Sequence, residues 1–114
     1  MELLSIIQGF YFALTGAWAI VSIRTFQMVT GPKTDLWLVK TIGAIVLVIG
    51  VILIVAGLRG NVSLEIFLLA TGTALALTVI DVKYVIKRTI SPIYLLDAAV
   101  EIVLIAIWII LIFR

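Results

Sequence analysis

Long apolar runs without charged residues follow one another along the chain, separated by short segments that contain the charged residues. The longest uncharged runs are residues 3–23, 41–58, 66–80 and 102–113. A helix needs about 20 residues, at about 1.5 Å each, to cross a hydrocarbon core of about 30 Å. The last two runs are too short for this. The helices that contain them must therefore include charged residues as well.

Four transmembrane helices account for this pattern. Asp35, which follows the turn-like residues 31–34, is the predicted N-cap of the second helix, and Pro92 after Ser91 is the predicted start of the fourth. The predicted spans are 3–23, 36–58, 62–82 and 92–113. The connections are too short to hold a domain. The sequence thus predicts an all-α integral membrane protein, a single antiparallel four-transmembrane-helix bundle with short connections and no extramembrane domain.

The composition indicates a membrane environment and excludes several kinds of chemistry. Of 114 residues, 65% are hydrophobic and 12% are charged, whereas about one-quarter are charged in an average soluble domain. The absence of Cys and His excludes thiol redox chemistry, thiolate or imidazole metal sites and histidine acid–base catalysis. No metal and no cofactor is predicted. The net charge of +2 without an extended basic run argues against nucleic-acid binding, and membrane lipids are the expected surroundings.

Lysine and arginine are unevenly distributed between the two predicted sides of the membrane. The side formed by the first and third connections carries Arg24, Lys33, Lys40, Lys83, Lys87 and Arg88. The opposite side carries Arg59 and Arg114. Basic residues favour the cytoplasmic side, so both termini are predicted to be non-cytoplasmic in a cell (inner or plasma) membrane. The first apolar run lacks a basic start and a small-residue cleavage site, which favours a retained helix over a signal peptide.

All four predicted helices have a distinct face; that of the third follows a 3,4,3 spacing and consists of Thr71, Ala74, Thr78 and Asp81. A 3,4,3,4 spacing in the first helix places polar and aromatic residues on one stripe. The stripe consists of Gln8, Tyr11, Thr15, Trp18 and Ser22. In the second helix, Gly43, Gly50 and Gly57 recur every seven residues. Such small residues let a neighbouring backbone approach closely, so this face is predicted to pack against another helix, within the chain or across a homodimer.

The fourth predicted helix carries two acidic residues, Asp97 and Glu101, one turn apart. Glu101 lies about 14 Å along the helix from Pro92, near the membrane midplane. A charged side chain there costs about 2.5 to 3.5 kcal/mol on insertion scales, so such residues usually face a protein interior or a water-filled cavity. Either nearby cations, Lys40 and Arg24, pair with these acids, or one carboxyl group is protonated because like charges repel and burial favours the neutral form.

Three functions fit these features. The first is binding or transport of a cation, a proton or an amphiphilic small molecule at the acidic pair. The predicted ligand-binding or ion-coupling residues are Asp97, Glu101, Lys40, Asp81, Tyr94, Trp18, Tyr11, Gln8 and Arg24. The second is an intramembrane enzyme that acts on a lipid-like substrate by carboxylate acid–base chemistry. The third is an accessory subunit in which the polar residues only fix helix register.

In size the chain resembles the small multidrug resistance transporters, which also place four helices in little more than 100 residues. Those transporters carry their essential glutamate in the first helix, whereas residues 3–23 of this chain are uncharged. The resemblance therefore ends at size, and no site residue is carried over from that family.

The basic asymmetry predicts the orientation of the termini. Reporter fusions at residues 1 and 114 should both show non-cytoplasmic activity, because six basic residues lie on one side and two on the other. Cytoplasmic reporter activity at both ends would reject this orientation while leaving the number of helices unchanged.

Overall fold

The computed structural model describes residues 2–30, 36–88 and 92–113, and within these ranges it contains five α-helices and no strands. The helices are α1 (Glu2–Val21), α2 (Ile23–Thr30), α3 (Leu36–Leu58), α4 (Leu64–Ile86) and α5 (Tyr94–Ile112). All except α2 are long and apolar enough to cross a membrane. The predicted all-helical chain with four candidate membrane spans is confirmed, and these spans indicate a multi-pass membrane protein.

The helices do not begin and end where the predicted spans do. The first connection contains α2, because Phe26 N–H bonds to the Ser22 carbonyl at 3.0 Å and continues a helical turn past the end of α1. Helix α4 continues to Ile86 instead of ending at residue 82. Helix α5 starts at Tyr94, after a turn in which the carbonyl of Pro92 accepts from Leu95 N–H at 3.0 Å. The N-caps predicted at Asp35 and Ser91 lie outside the described residues.

The chain divides into two compact units, Glu2–Asn61 and a second unit that covers Val62–Arg114. In the first unit, α1 packs against α3 through glycine. A Cβ atom built at Gly50 would lie 2.5 Å from the Ala13 amide nitrogen and 2.6 Å from the Gly9 carbonyl oxygen. One built at Gly57 would lie 2.6 Å from the Glu2 carbonyl oxygen. The two backbones therefore approach so closely that no side chain fits between them.

The α1 side of this contact also carries glycine, which the sequence interpretation missed. A Cβ atom at Gly9 would lie 2.6 Å from the Gly50 carbonyl oxygen, and one at Gly16 would contact the Gly43 carbonyl. Gly9 and Gly16 are seven residues apart, the same period as on α3. That shared period was the available signal. Because Gly9 meets Gly50 and Gly16 meets Gly43, the two helices are antiparallel.

Polar side chains of α1 find hydrogen-bond partners within the same unit. Ser5 Oγ donates to the Leu53 carbonyl at 2.7 Å in a buried position. At the other end, the indole Nε1–H of Trp18 donates to Thr25 Oγ1 at 2.9 Å. The ring of Phe26 packs edge-on against Trp18, with centroids 5.2 Å apart. The contacts of Trp18 with Thr25 and Phe26 hold α2 against the end of α1.

The second unit pairs α4 with α5, and its apolar contact uses small residues on α4. Ala70 and Ala74 are fully buried, as is Trp108 of α5. The ring of Phe67 packs edge-on against Trp108 with centroids 5.9 Å apart. Helix α4 begins after the N-cap Ser63, whose Oγ accepts from Ile66 N–H at 3.4 Å. Because Phe67, near the start of α4, contacts Trp108, near the end of α5, the two helices are antiparallel.

The glycine contact makes a testable prediction about stability. Gly50→Leu should destabilise the protein by about 1 to 3 kcal/mol or more, because the new side chain would overlap the α1 backbone. Gly72→Leu is the matched control, since a Cβ atom there would meet nothing within 4 Å. Thermal unfolding in detergent measures both. Equal unfolding temperatures for the two variants would contradict the close contact of α1 with α3.

Candidate functional site

Three carboxyl groups come together where the C-terminal part of α4 lies beside the first turns of α5. Asp81 belongs to α4, whereas Asp97 and Glu101 lie one helical turn apart on α5. The carboxyl group of Asp81 lies within electrostatic range of those of Asp97 and Glu101. The antiparallel pairing of the two helices accounts for this meeting, because it places residues near 81 opposite residues near 97. We call these three residues the carboxyl cluster.

Burial increases through the carboxyl cluster. Asp97 is half-buried, Asp81 is 5% exposed and Glu101 is 0% exposed. One oxygen of Asp81 and both carboxyl oxygens of Glu101 are buried without a hydrogen-bond partner among the described residues. A buried polar atom without a partner costs about 1 to 3 kcal/mol. Glu101 is therefore the most costly side chain of this unit to bury, and its carboxyl group is open to an additional partner.

The face of α5 that carries Glu101 is otherwise apolar. Ala98, Leu104 and Trp108 are its other buried residues, at three or four positions from one another or from Glu101. None of their side chains can accept or donate to a carboxylate except through the Trp108 indole. We call Ala98, Leu104 and Trp108 the apolar wall. Because Glu101 and Trp108 are seven residues apart, about two helical turns, the sequence spacing alone places the acid on the same face of α5 as this wall.

Two threonine hydroxyl groups of α4 donate within their own helix and not to the carboxyl cluster. Thr78 Oγ1 donates to the Ala74 carbonyl at 2.8 Å, and Thr71 Oγ1 donates to the Phe67 carbonyl at 2.8 Å. Both threonines are thus satisfied by the preceding turn of their own helix. Thr71 and Thr78 therefore add no donor to the acids.

The basic residues of the same unit do not neutralise the carboxyl cluster. Lys83, Lys87 and Arg88 are exposed and form no ion pair with any residue in the part of the chain that the structure describes. Within residues 2–30, 36–88 and 92–113, no group of three or more His, Cys, Asp or Glu residues is placed to hold a metal ion.

The other predicted site residues are distributed as follows. Tyr94 is half-buried in the first turn of α5, in the same unit as the carboxyl cluster. Five residues belong to the unit Glu2–Asn61. Gln8 is fully buried, Tyr11 and Trp18 are half-buried, and Arg24 and Lys40 are exposed. Their participation in one site with the acids stays a prediction.

Comparisons with known proteins found no similar protein: no family model, no curated protein and no solved structure matches the chain.

The missing partner of Glu101 predicts an unusual effect on stability. Glu101→Gln should leave the unfolding temperature in detergent unchanged or raise it, because the amide keeps the shape and removes a buried charge. Glu101→Leu should stabilise the protein by about 1 to 3 kcal/mol, since it also removes the unpaired polar atoms.

Glu65→Leu is the matched control, because Glu65 is an exposed acid of the same unit in the first turn of α4. This substitution should not stabilise the protein, since it removes a carboxylate that interacts favourably with the dipole at the helix N-terminus. If either Glu101 substitution unfolds the protein, the acid forms a stabilising ion pair and the carboxyl cluster is structural.

Proposed function

We propose that this protein binds protons at the carboxyl cluster and exchanges them for a cation, either a monovalent ion or the cationic group of an amphiphilic molecule. The observation that carries the proposal is Glu101, which is fully buried with both carboxyl oxygens unpartnered among the described residues. An acid in an apolar span is expensive to insert and usually marks an ion or ligand pathway. If Glu101 had a purely structural role, we would expect a hydrogen-bond donor beside its carboxyl group.

The contact of Asp81 with Asp97 supports proton binding. Carboxyl groups this near one another repel when all are ionised, so the carboxyl cluster is more stable when it holds a proton. A cation that enters beside them would favour the ionised forms of all three acids and release that proton. Binding of the cation and release of the proton are then one linked event.

The gradient of burial supports a direction of entry. Asp97 is half-buried in the first turn of α5, and Glu101 lies one turn deeper with no exposure. A cation would therefore meet Asp97 first and Glu101 last. With the orientation that the basic residues predict, this entrance faces the cytoplasm.

The apolar wall beside Glu101 supports a lipophilic cation over a hydrated ion. Ala98, Leu104 and Trp108 share the buried face of α5 with the acid. Such a surface provides apolar contact and an aromatic ring, the usual surroundings of an organic ligand anchored by one charged group. Trp108 packs on Phe67, so the ring is held in place before a ligand arrives.

Proton release on cation binding tests this function. Purified protein in weakly buffered detergent solution is titrated with tetraphenylphosphonium, a lipophilic cation that carries no ionisable proton, and pH is followed with an indicator dye. We expect about one proton released per cation bound. Glu101→Gln and Asp97→Asn should abolish the release and weaken binding by at least about tenfold, which corresponds to about 1.4 kcal/mol.

The control is Glu65→Gln, which removes an exposed acid of α4 and should release protons as the unchanged protein does. Circular dichroism shows whether each variant is folded. Binding of the cation by folded Glu101→Gln with the original affinity and proton release would refute the proposal and leave the accessory-subunit interpretation.

A further inference from the structure

The C-terminal end of α4 gathers basic residues around one aromatic ring. The Nζ atom of Lys83 lies 5.6 Å from the centroid of the Tyr84 ring, and that of Lys87 lies 5.9 Å from the same centroid. An ammonium group within about 6 Å of an aromatic centroid is attracted to the ring. The Tyr84 ring thus attracts two ammonium groups that repel each other.

A third cation follows at a strained backbone position. Arg88 has φ 59, the left-handed region in which glycine is usual at a helix end. Its N–H donates to the Val85 carbonyl at 3.0 Å, and Lys87 N–H donates to the Lys83 carbonyl at 3.1 Å. The negative end of the helix dipole favours cations in this last turn, but it does not explain an arginine where glycine would cost less. We call Lys83, Tyr84, Lys87 and Arg88 the basic end of α4.

No carboxylate balances the basic end of α4 within the described ranges. The three cationic side chains are exposed and form no ion pair there. The nearest acid on the same helix, Asp81, is buried. Ile86, in the middle of the basic end, is 74% exposed. The surface therefore combines uncompensated positive charge with an apolar side chain.

We infer that the basic end of α4 binds the headgroup phosphate of an anionic phospholipid. It lies where a candidate membrane span ends, which is the level of the headgroups if α4 crosses the bilayer. Lysine and arginine donate to phosphate oxygens, and basic clusters next to a span attract anionic lipids. The exposed Ile86 contacts the acyl chains, which a free phosphate ion lacks. This site is independent of the carboxyl cluster.

Selectivity for anionic lipid tests the inference. The protein is reconstituted in phosphatidylcholine vesicles, and electron spin resonance measures the association of spin-labelled phosphatidylglycerol relative to spin-labelled phosphatidylcholine. We expect a preference for phosphatidylglycerol that falls by about fivefold for each cation removed in Lys83→Gln and Lys87→Gln. Arg59→Gln, an exposed cation at the end of α3, should leave the preference unchanged.

Three further variants separate a built site from general attraction of charge. Tyr84→Leu keeps every charge, and hence the basic asymmetry that sets orientation, but removes the ring, so it should reduce the preference. Arg88→Gly should reduce the preference while raising the unfolding temperature, since it relieves the left-handed backbone. Arg88→Lys should retain most of the preference.

The inference is overturned if Tyr84→Leu keeps the full preference, because net charge alone would then explain it. It is also overturned if inorganic phosphate at millimolar concentration displaces spin-labelled phosphatidylglycerol, because the site would then be one for a free anion.

Discussion

A polar atom inside an apolar helix pair has no water to bond with, and this constraint governs nearly every polar side chain in the structure. Ser5, Thr71 and Thr78 each donate to a backbone carbonyl. Glu101 departs from the rule, since neither of its carboxyl oxygens has a partner among the described residues. This exception separates the carboxyl cluster from the polar residues that only stabilise the fold.

The same constraint explains why glycine dominates the α1–α3 contact. Between apolar helices in lipid there is little hydrophobic gain from association, so close packing has to supply the attraction. Gly9 against Gly50 and Gly16 against Gly43 bring backbone against backbone. The α4–α5 pair uses alanine and a tryptophan instead. The carboxyl cluster lies in this second pair.

Much of the architecture was predictable from local pattern. The uncharged runs and the length of a membrane span identified four long helices, because helix formation in an apolar segment depends on nearby residues alone. The short helix α2 was missed, since its eight residues are too few to show a clear period. The acids at 97 and 101 were found because a charge in a long apolar segment is conspicuous. Their proximity to Asp81 depends on the pairing of α4 with α5, which no local pattern shows.

The amino-acid sequence by itself determined which segments are helical, which faces are small or polar, and that carboxyl groups lie within apolar spans. Tertiary structure decided which faces meet. Gly50 and Gly72 look alike in sequence, yet a Cβ atom at Gly50 would lie 2.5 Å from backbone whereas one at Gly72 would meet nothing within 4 Å. Likewise, Glu65 and Glu101 are both acids in apolar helices, but one is exposed and the other fully buried. The physical reason is that helical period is a local property, whereas a residue's partner depends on contacts between segments that are distant in the chain.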